Sequence, residues 1–413
     1  MFSVNQTNTI KKEEKGFATW YKHFCSQPHQ AFFTNGIIFF ILFIGLLFLS
    51  FSGSIALSTT LFDYHAYPII YVVFIQFFLG FLFITFPRFL REKAIETKVY
   101  MKHFYLYFTS SLGIFLSLLF SIESLFIFFV FILFLTHLYS FSLLLNIHKK
   151  SILTTKEDTK WILIFFVFGL FSHFLYIFSF VDSSVSYTLK QISINIGFYL
   201  FLFGIVFSVS QRMIPFFTSA KIPNYVINKT KNLLPIVCAL LVLKVILLSF
   251  DNTKLNLISD VPLFIIFVRE LFKWKLNLFK SVAILWVLHL ALYWIPFAFL
   301  LSILESLNEI FFSSFVFEKV VVHTLALGYF LTVLIGFGTR VILGHSGQTP
   351  NADKFTVGIF IFLQVVVLLR VFTSFSTNFG FDYFFFINLT SLLLICSLLV
   401  WSSRYLRILI KGK

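Results

Sequence analysis

The sequence predicts an all-α integral membrane protein, a bundle of about twelve transmembrane helices with both termini on the cytoplasmic side. Three observations lead there. The 413 residues are 59% hydrophobic and only 12% charged, with a mean hydropathy of +0.94, far above the range of water-soluble domains. Apolar runs of ~20 residues, the length that crosses a bilayer core, recur along the chain. The basic residues fall in every second connection between those runs.

The runs lie near 33–52, 68–87, 103–120, 122–145, 160–180, 192–214, 233–250, 256–272, 280–302, 319–343, 355–373 and 383–402. The first follows a polar segment, residues 1–30, read as a cytoplasmic N-terminal stretch without a cleavable signal pattern. Residues 31–413 then form a single transmembrane domain. The third and fourth runs abut at Ser121-Ile122-Glu123 and require a tight turn. Pro215 is expected to end the sixth, because proline lacks an N–H and has a fixed φ. The eighth is the weakest, interrupted by Asp260, Pro262, Arg269 and Glu270. The tenth carries glycines at 328, 336 and 338, which permit close helix approach.

Charge sets the orientation. Lys11, Lys12, Lys15 and Lys22 precede the first run. Basic clusters then recur at Arg88–Lys102, Lys149–Lys160, Arg212–Lys231, Arg269–Lys280, Arg340–Lys354 and Arg404–Lys413. The alternate connections hold only Lys190, Lys254 and Lys319, close to helix ends. By the positive-inside rule both termini of this multi-pass protein lie on the cytoplasmic side. The same distribution explains the net charge of +15 without nucleic acid, and the lipid bilayer is the partner it implies. Cys25, Cys238 and Cys396 lie far apart and form no CxxC, so neither a disulfide framework nor a zinc module is expected.

Function is sought among the intramembrane ionisable groups, which are costly and therefore used. Of ten histidines, His65, His173, His289 and His323 are expected to converge in the outer half on four helices, a donor set suited to a haem axial ligand and to copper. His29 and His345 flank the first and tenth spans on the inner side as a second pair. Arg212 and Arg340 stand at inner helix ends. Guanidinium binds carboxylates in a bidentate fashion, so haem propionates are their natural partners. His137 lies within the fourth span, and His23, His103 and His148 accompany basic clusters.

The stretch HTLALGYFLTVLIGFGTRVILGHSGQTP, His323 to Pro350, resembles the tenth span of the NnrS family, an HAxTxGxxGxMxxxVMTRxxLGHTGRPL pattern. His323, Gly328, Thr339, Arg340, Gly344, His345 and Gly347 stand in matching places. Arg212 to Thr218 resembles the family's RVIPFFT, His289 to Trp294 its LHxGYxWL, and Tyr64-His65-Ala66 its WHAHEM. His173 matches a fifth-span histidine, and His29 the start of HxxFR. The resemblance implies a b-type haem and copper, with nitric oxide or another small diatomic as ligand and an electron donor if turnover occurs. It implies a role against nitrosative stress or in denitrification, and leaves open whether the chain is a nitric oxide-related oxidoreductase. Departures matter: Tyr67 replaces the second histidine of WHAHEM, Pro68 its glutamate, and Gln348 the arginine of HTGRP. If the missing histidine were a copper ligand, this chain would hold haem alone.

Two other classes compete. Twelve spans with both ends inside also suit a secondary transporter without haem. A haem–copper oxidase-like subunit would show an adjacent His-His pair, and the sequence has none.

Overall fold

The computed structural model describes residues 16–250, 252–276, 281–312 and 314–411. Lys11, Lys12, Lys15, Lys280 and Lys413 of the charge analysis, with most of the N-terminal segment, lie outside the described residues. Among the described residues the chain is all helical, with no strands. Each of the twelve predicted runs is a helix.

A short helix α1 (Phe17–Phe24) precedes α2 (Pro28–Phe51), α3 (Phe62–Phe89), α4 (Thr97–Leu119), α5 (Glu123–Lys150) and α6 (Glu157–Phe178). Then come α7 (Ser183–Ser219), α8 (Leu233–Leu247), α9 (Leu257–Trp274), α10 (Ala283–Phe311), α11 (Val320–His345), α12 (Lys354–Thr373) and α13 (Tyr383–Lys411). Nine of them, α2, α3, α5, α6, α7, α10, α11, α12 and α13, are long and apolar enough to cross a membrane. The chain is thus a multi-pass membrane protein. Helix α8 is short, with 15 residues; α9 carries Asp260, Arg269, Glu270 and Lys273, and α4 is rich in hydroxyl and other polar side chains.

Local chemistry explains the boundaries. Pro28 opens α2 at a position where a missing N–H costs nothing, and Gln27 and Gln30 close a reciprocal cap. The tight α4–α5 turn passes through Ser121 in the left-handed region, φ 55°. Asp353 caps α12 through the Thr356 N–H and receives Arg404 Nη1 at 2.6 Å. These bonds, Arg404 first, hold its carboxyl down to about 2. Pro215 does not end its helix. The backbone continues to Ser219, and the proline removes only the bond its missing N–H would have given the Gln211 carbonyl. One lost backbone bond is tolerated inside a helix packed among neighbours.

The Trp20 indole donates to the Ile410 carbonyl at 2.9 Å, so the two ends of the chain share one face of the bundle, here called the terminal face. Close packing elsewhere uses glycine. Helices α6 and α7 exchange sockets: a Cβ on Gly169 would sit 2.3 Å from the Phe201 ring, and one on Gly204 2.2 Å from the Phe165 ring. Three helices widen into π turns: α3 at Phe62–Ala66 and Pro68–Phe74, α7 at Ile196–Leu202, and α11 at Thr324–Leu331. These stretches meet in the core, where Phe330 packs on Phe74 and Phe198. Such turns recur at functional sites.

Candidate functional site

The structure sorts the candidate residues into three places rather than two. The four histidines expected to converge do not. His65 and His323 pair near the face opposite the termini, ring centres 6.3 Å apart and nearly parallel. His173 lies in the core beside His137, with Nδ1 atoms 2.9 Å apart, while its Nε2 meets the Tyr67 hydroxyl at 2.8 Å. His289 is not at mid-span. Its helix runs on to Phe311, which leaves it in the second turn. There its Nε2 meets Thr218 Oγ1 at 2.9 Å, near the terminal face. Sequence depth failed here because a helix longer than the bilayer requires has its centre elsewhere than its apolar run suggests.

His29 and His345 do come together, with ring centres 4.8 Å apart. His29 is 2% exposed and its Nδ1 has no hydrogen-bond partner. Beside them at the terminal face opens a cavity of about 870 Å³, lined by the ends of α3, α7 and α11. Its cations are Arg88, Arg212, Lys229 and Arg340, and His345 stands on its wall. Phe81, Phe89, Phe216 and Phe217 make it aromatic. Both expected arginines are present, in different states. Arg212 lies over the Phe89 ring at 3.9 Å and is paired with Asp158 at 2.6 Å. Arg340 lies over Phe217 at 3.9 Å, and its buried Nη1 has no partner. A guanidinium nitrogen without an acceptor in such a setting is costly, and the cavity is where an acceptor would sit.

These residues fit a haem. The cavity has aromatic walls for a flat macrocycle, cations for two carboxylates, and an imidazole. Next to that imidazole, Gly344 leaves open space where a side chain would stand. A copper centre fits less well. Among the described residues no three His, Cys, Asp or Glu side chains gather as metal ligands. The His65–His323 pair has a fixed cation beside it, Arg370, which the sequence reading missed. Its Nη2 and the Lys319 carbonyl both lie 2.9 Å from His323 Nδ1, so that nitrogen serves one of them at a time. A guanidinium at that distance repels a metal cation. Both ring nitrogens of His173 are engaged already. His23 and Cys25 likewise join no cluster.

Two buried ion pairs also escaped the sequence reading. Lys190 meets Asp63 at 2.7 Å, and Lys244 meets Asp260 at 2.7 Å with Ser302 closing the second pair at 2.5 Å. Asp260, which weakens its run in the sequence, is neutralised by a lysine from the neighbouring helix.

The chain is in form a helical multi-pass membrane protein whose terminal face opens into a cationic, aromatic, histidine-bearing cavity. The chain belongs to the NnrS family: the family model described as NnrS protein matches residues 23–413, nearly all of it. No curated protein matches the chain.

Proposed function

We propose that the terminal-face cavity holds a b-type haem, and that the protein binds or processes nitric oxide or another small diatomic and so relieves nitrosative stress. The observation that carries this reading is Arg340 Nη1, buried without a hydrogen-bond partner among the described residues, in a cavity with His345 on its wall. Arg340, with Arg88 and Lys229, would hold the propionates, and His345 would provide the imidazole, with His29 packed against it. Bound haem supplies an iron that takes a diatomic ligand. The protein's part is to orient it, neutralise its carboxylates and surround it with phenylalanine. Turnover needs an electron donor outside the chain. Haem alone, without copper, is the cofactor set we propose, consistent with Tyr67 at the family's histidine position. We further propose that α4, α8 and α9 complete twelve spans in a bacterial inner membrane, with the terminal face cytoplasmic, because the basic clusters lie there.

The test is an absorption spectrum of detergent-purified protein, oxidised, reduced and with nitric oxide added, with metals counted on the same sample. A Soret band that shifts with nitric oxide is expected. Arg340→Gln should lower haem per protein several-fold, and His345→Ala should displace the Soret band, while His323→Ala leaves haem content unchanged. Absence of a Soret band after expression with ample haem removes the reading. It would promote the transporter alternative, which one observation favours: Lys244 lines a polar cavity of about 730 Å³ together with Glu305, Glu309 and Glu318.

A further inference from the structure

Helices α3 to α6 enclose a run of hydroxyl and imidazole groups that the haem reading does not use. It begins opposite the terminal face, where exposed Thr60 donates its hydroxyl and N–H to Asp63 Oδ2 at 2.6 and 3.1 Å. Asp63 Oδ1 accepts from Lys190 Nζ at 2.7 Å and from the Tyr176 hydroxyl at 2.5 Å. The Tyr176 ring stacks on Tyr67 at 4.3 Å. Tyr67 meets His173 Nε2, and His173 Nδ1 meets His137 Nδ1, at 2.8 and 2.9 Å. Beyond His137 the Tyr107 ring lies 5.5 Å away. Then comes Ser140, which holds His103 Nδ1 at 2.9 Å. His103 sits in the second turn of α4, toward the terminal face. His103, His137 and His173 are each at most 1% exposed.

Two features set this apart from a structural polar core. A purely structural network satisfies its own atoms; here His137 Nε2, the Tyr107 hydroxyl and His103 Nε2 have no hydrogen-bond partner among the described residues, and all lie in the same half of the run. The two facing Nδ1 atoms also share one hydrogen, since a bond between them needs one ring to carry it and the other to lack it. The hydrogen can reside on either ring, and each arrangement reverses the direction in which the neighbouring groups donate.

We propose that this run is a proton path between the two faces of the bundle. In each passage Tyr67 gives its hydroxyl proton to His173 Nε2 and regains one from the Asp63–Tyr176 side. His173 gives its Nδ1 proton to His137, and His137 releases its Nε2 proton toward Tyr107 and His103. One proton enters at one face and one leaves at the other, and no oxidant or reductant takes part. The path requires the bundle to span the membrane and does not require haem.

The test uses the full-length protein in phosphatidylcholine–phosphatidylglycerol vesicles with a pH dye inside, driven by a potassium diffusion potential with valinomycin. Proton flux well above that of protein-free vesicles is expected. Tyr67→Phe, which removes one oxygen, and His137→Gln should each lower it at least fivefold. Protein made without haem should conduct as the loaded protein does, which keeps this result separate from the cofactor question. A wild-type flux equal to that of empty vesicles overturns the proposal. So does an undiminished flux in Tyr67→Phe that elutes as a single folded species, and this variant decides the matter if His137→Gln does not fold.

Discussion

Single residues in this protein are governed by the cost of charge in a low-dielectric interior. Lys244 and Asp260 are 1% and 0% exposed, and each is tolerable only because the other is there. Removing one partner leaves an uncompensated buried charge, a loss of about 3–5 kcal/mol, whereas replacing both with apolar residues of similar size is often near neutral. Lys244→Ala should therefore lower the thermal unfolding midpoint in detergent sharply, and Lys244→Met combined with Asp260→Leu should recover most of the loss. A double variant as unstable as the single one would show that the pair does more than cancel charge. Neither pair was legible in the sequence. Lys190 reads as a helix-end residue and Asp260 as an interruption, because the partner that makes each acceptable lies on another helix. His137 was given no role for the same reason: alone on an apolar face it signals nothing, and what sets it apart is His173 across the α5–α6 contact. Arg340, by contrast, stands out in the local sequence, a guanidinium about one turn and a half before His345.

At the scale of elements, apolar runs marked where α2 to α13 lie, nine of them among the described residues long and apolar enough to cross a membrane. They could not place the contacts between them, which depend on how side chains interlock. The reciprocal sockets of α6 and α7 are the clearest case. Each glycine admits the partner's phenylalanine ring, and because both rings are buried neither has room to retreat. Gly204→Leu should destabilise the protein by about 1–3 kcal/mol, the usual cost of overpacking a filled core, visible as a lower unfolding midpoint. Pairing it with Phe165→Ala should restore part of the stability, since the new side chain then has a vacated space. The same change at Gly45, where nothing lies within 4 Å, should have little effect.

The whole molecule has two faces of different character. The terminal face gathers Arg88, Arg212, Lys229, Arg340 and the two chain ends; the opposite face holds the Thr60–Asp63 and Glu305–Glu318 groups. In a cysteine-free background, Ser54→Cys should react with an impermeant thiol reagent on intact cells, and Gln348→Cys only after permeabilisation. Labelling of both from outside would reverse or break the proposed topology. The fold class was readable because it is an average over many residues; the arrangement of histidines was not, because it depends on angle about each helix axis. The π-widened stretches bear on that angle. Each such turn holds one residue more than an α turn, so in the language of sequence change it is an insertion carried inside an unbroken helix. A single-residue deletion between Thr324 and Leu331 would let a π turn close to an α turn and leave both flanks of α11 facing as they do now, whereas the same deletion between Thr332 and Thr339, in its regular α-helical part, would rotate everything beyond it by about 100°. His323 and Arg340 would then no longer face the directions they face now, although both would still be present in the chain. Relatives one residue shorter in the widened stretch can thus keep the same geometry on both sides, which a residue-by-residue count from one end would miss.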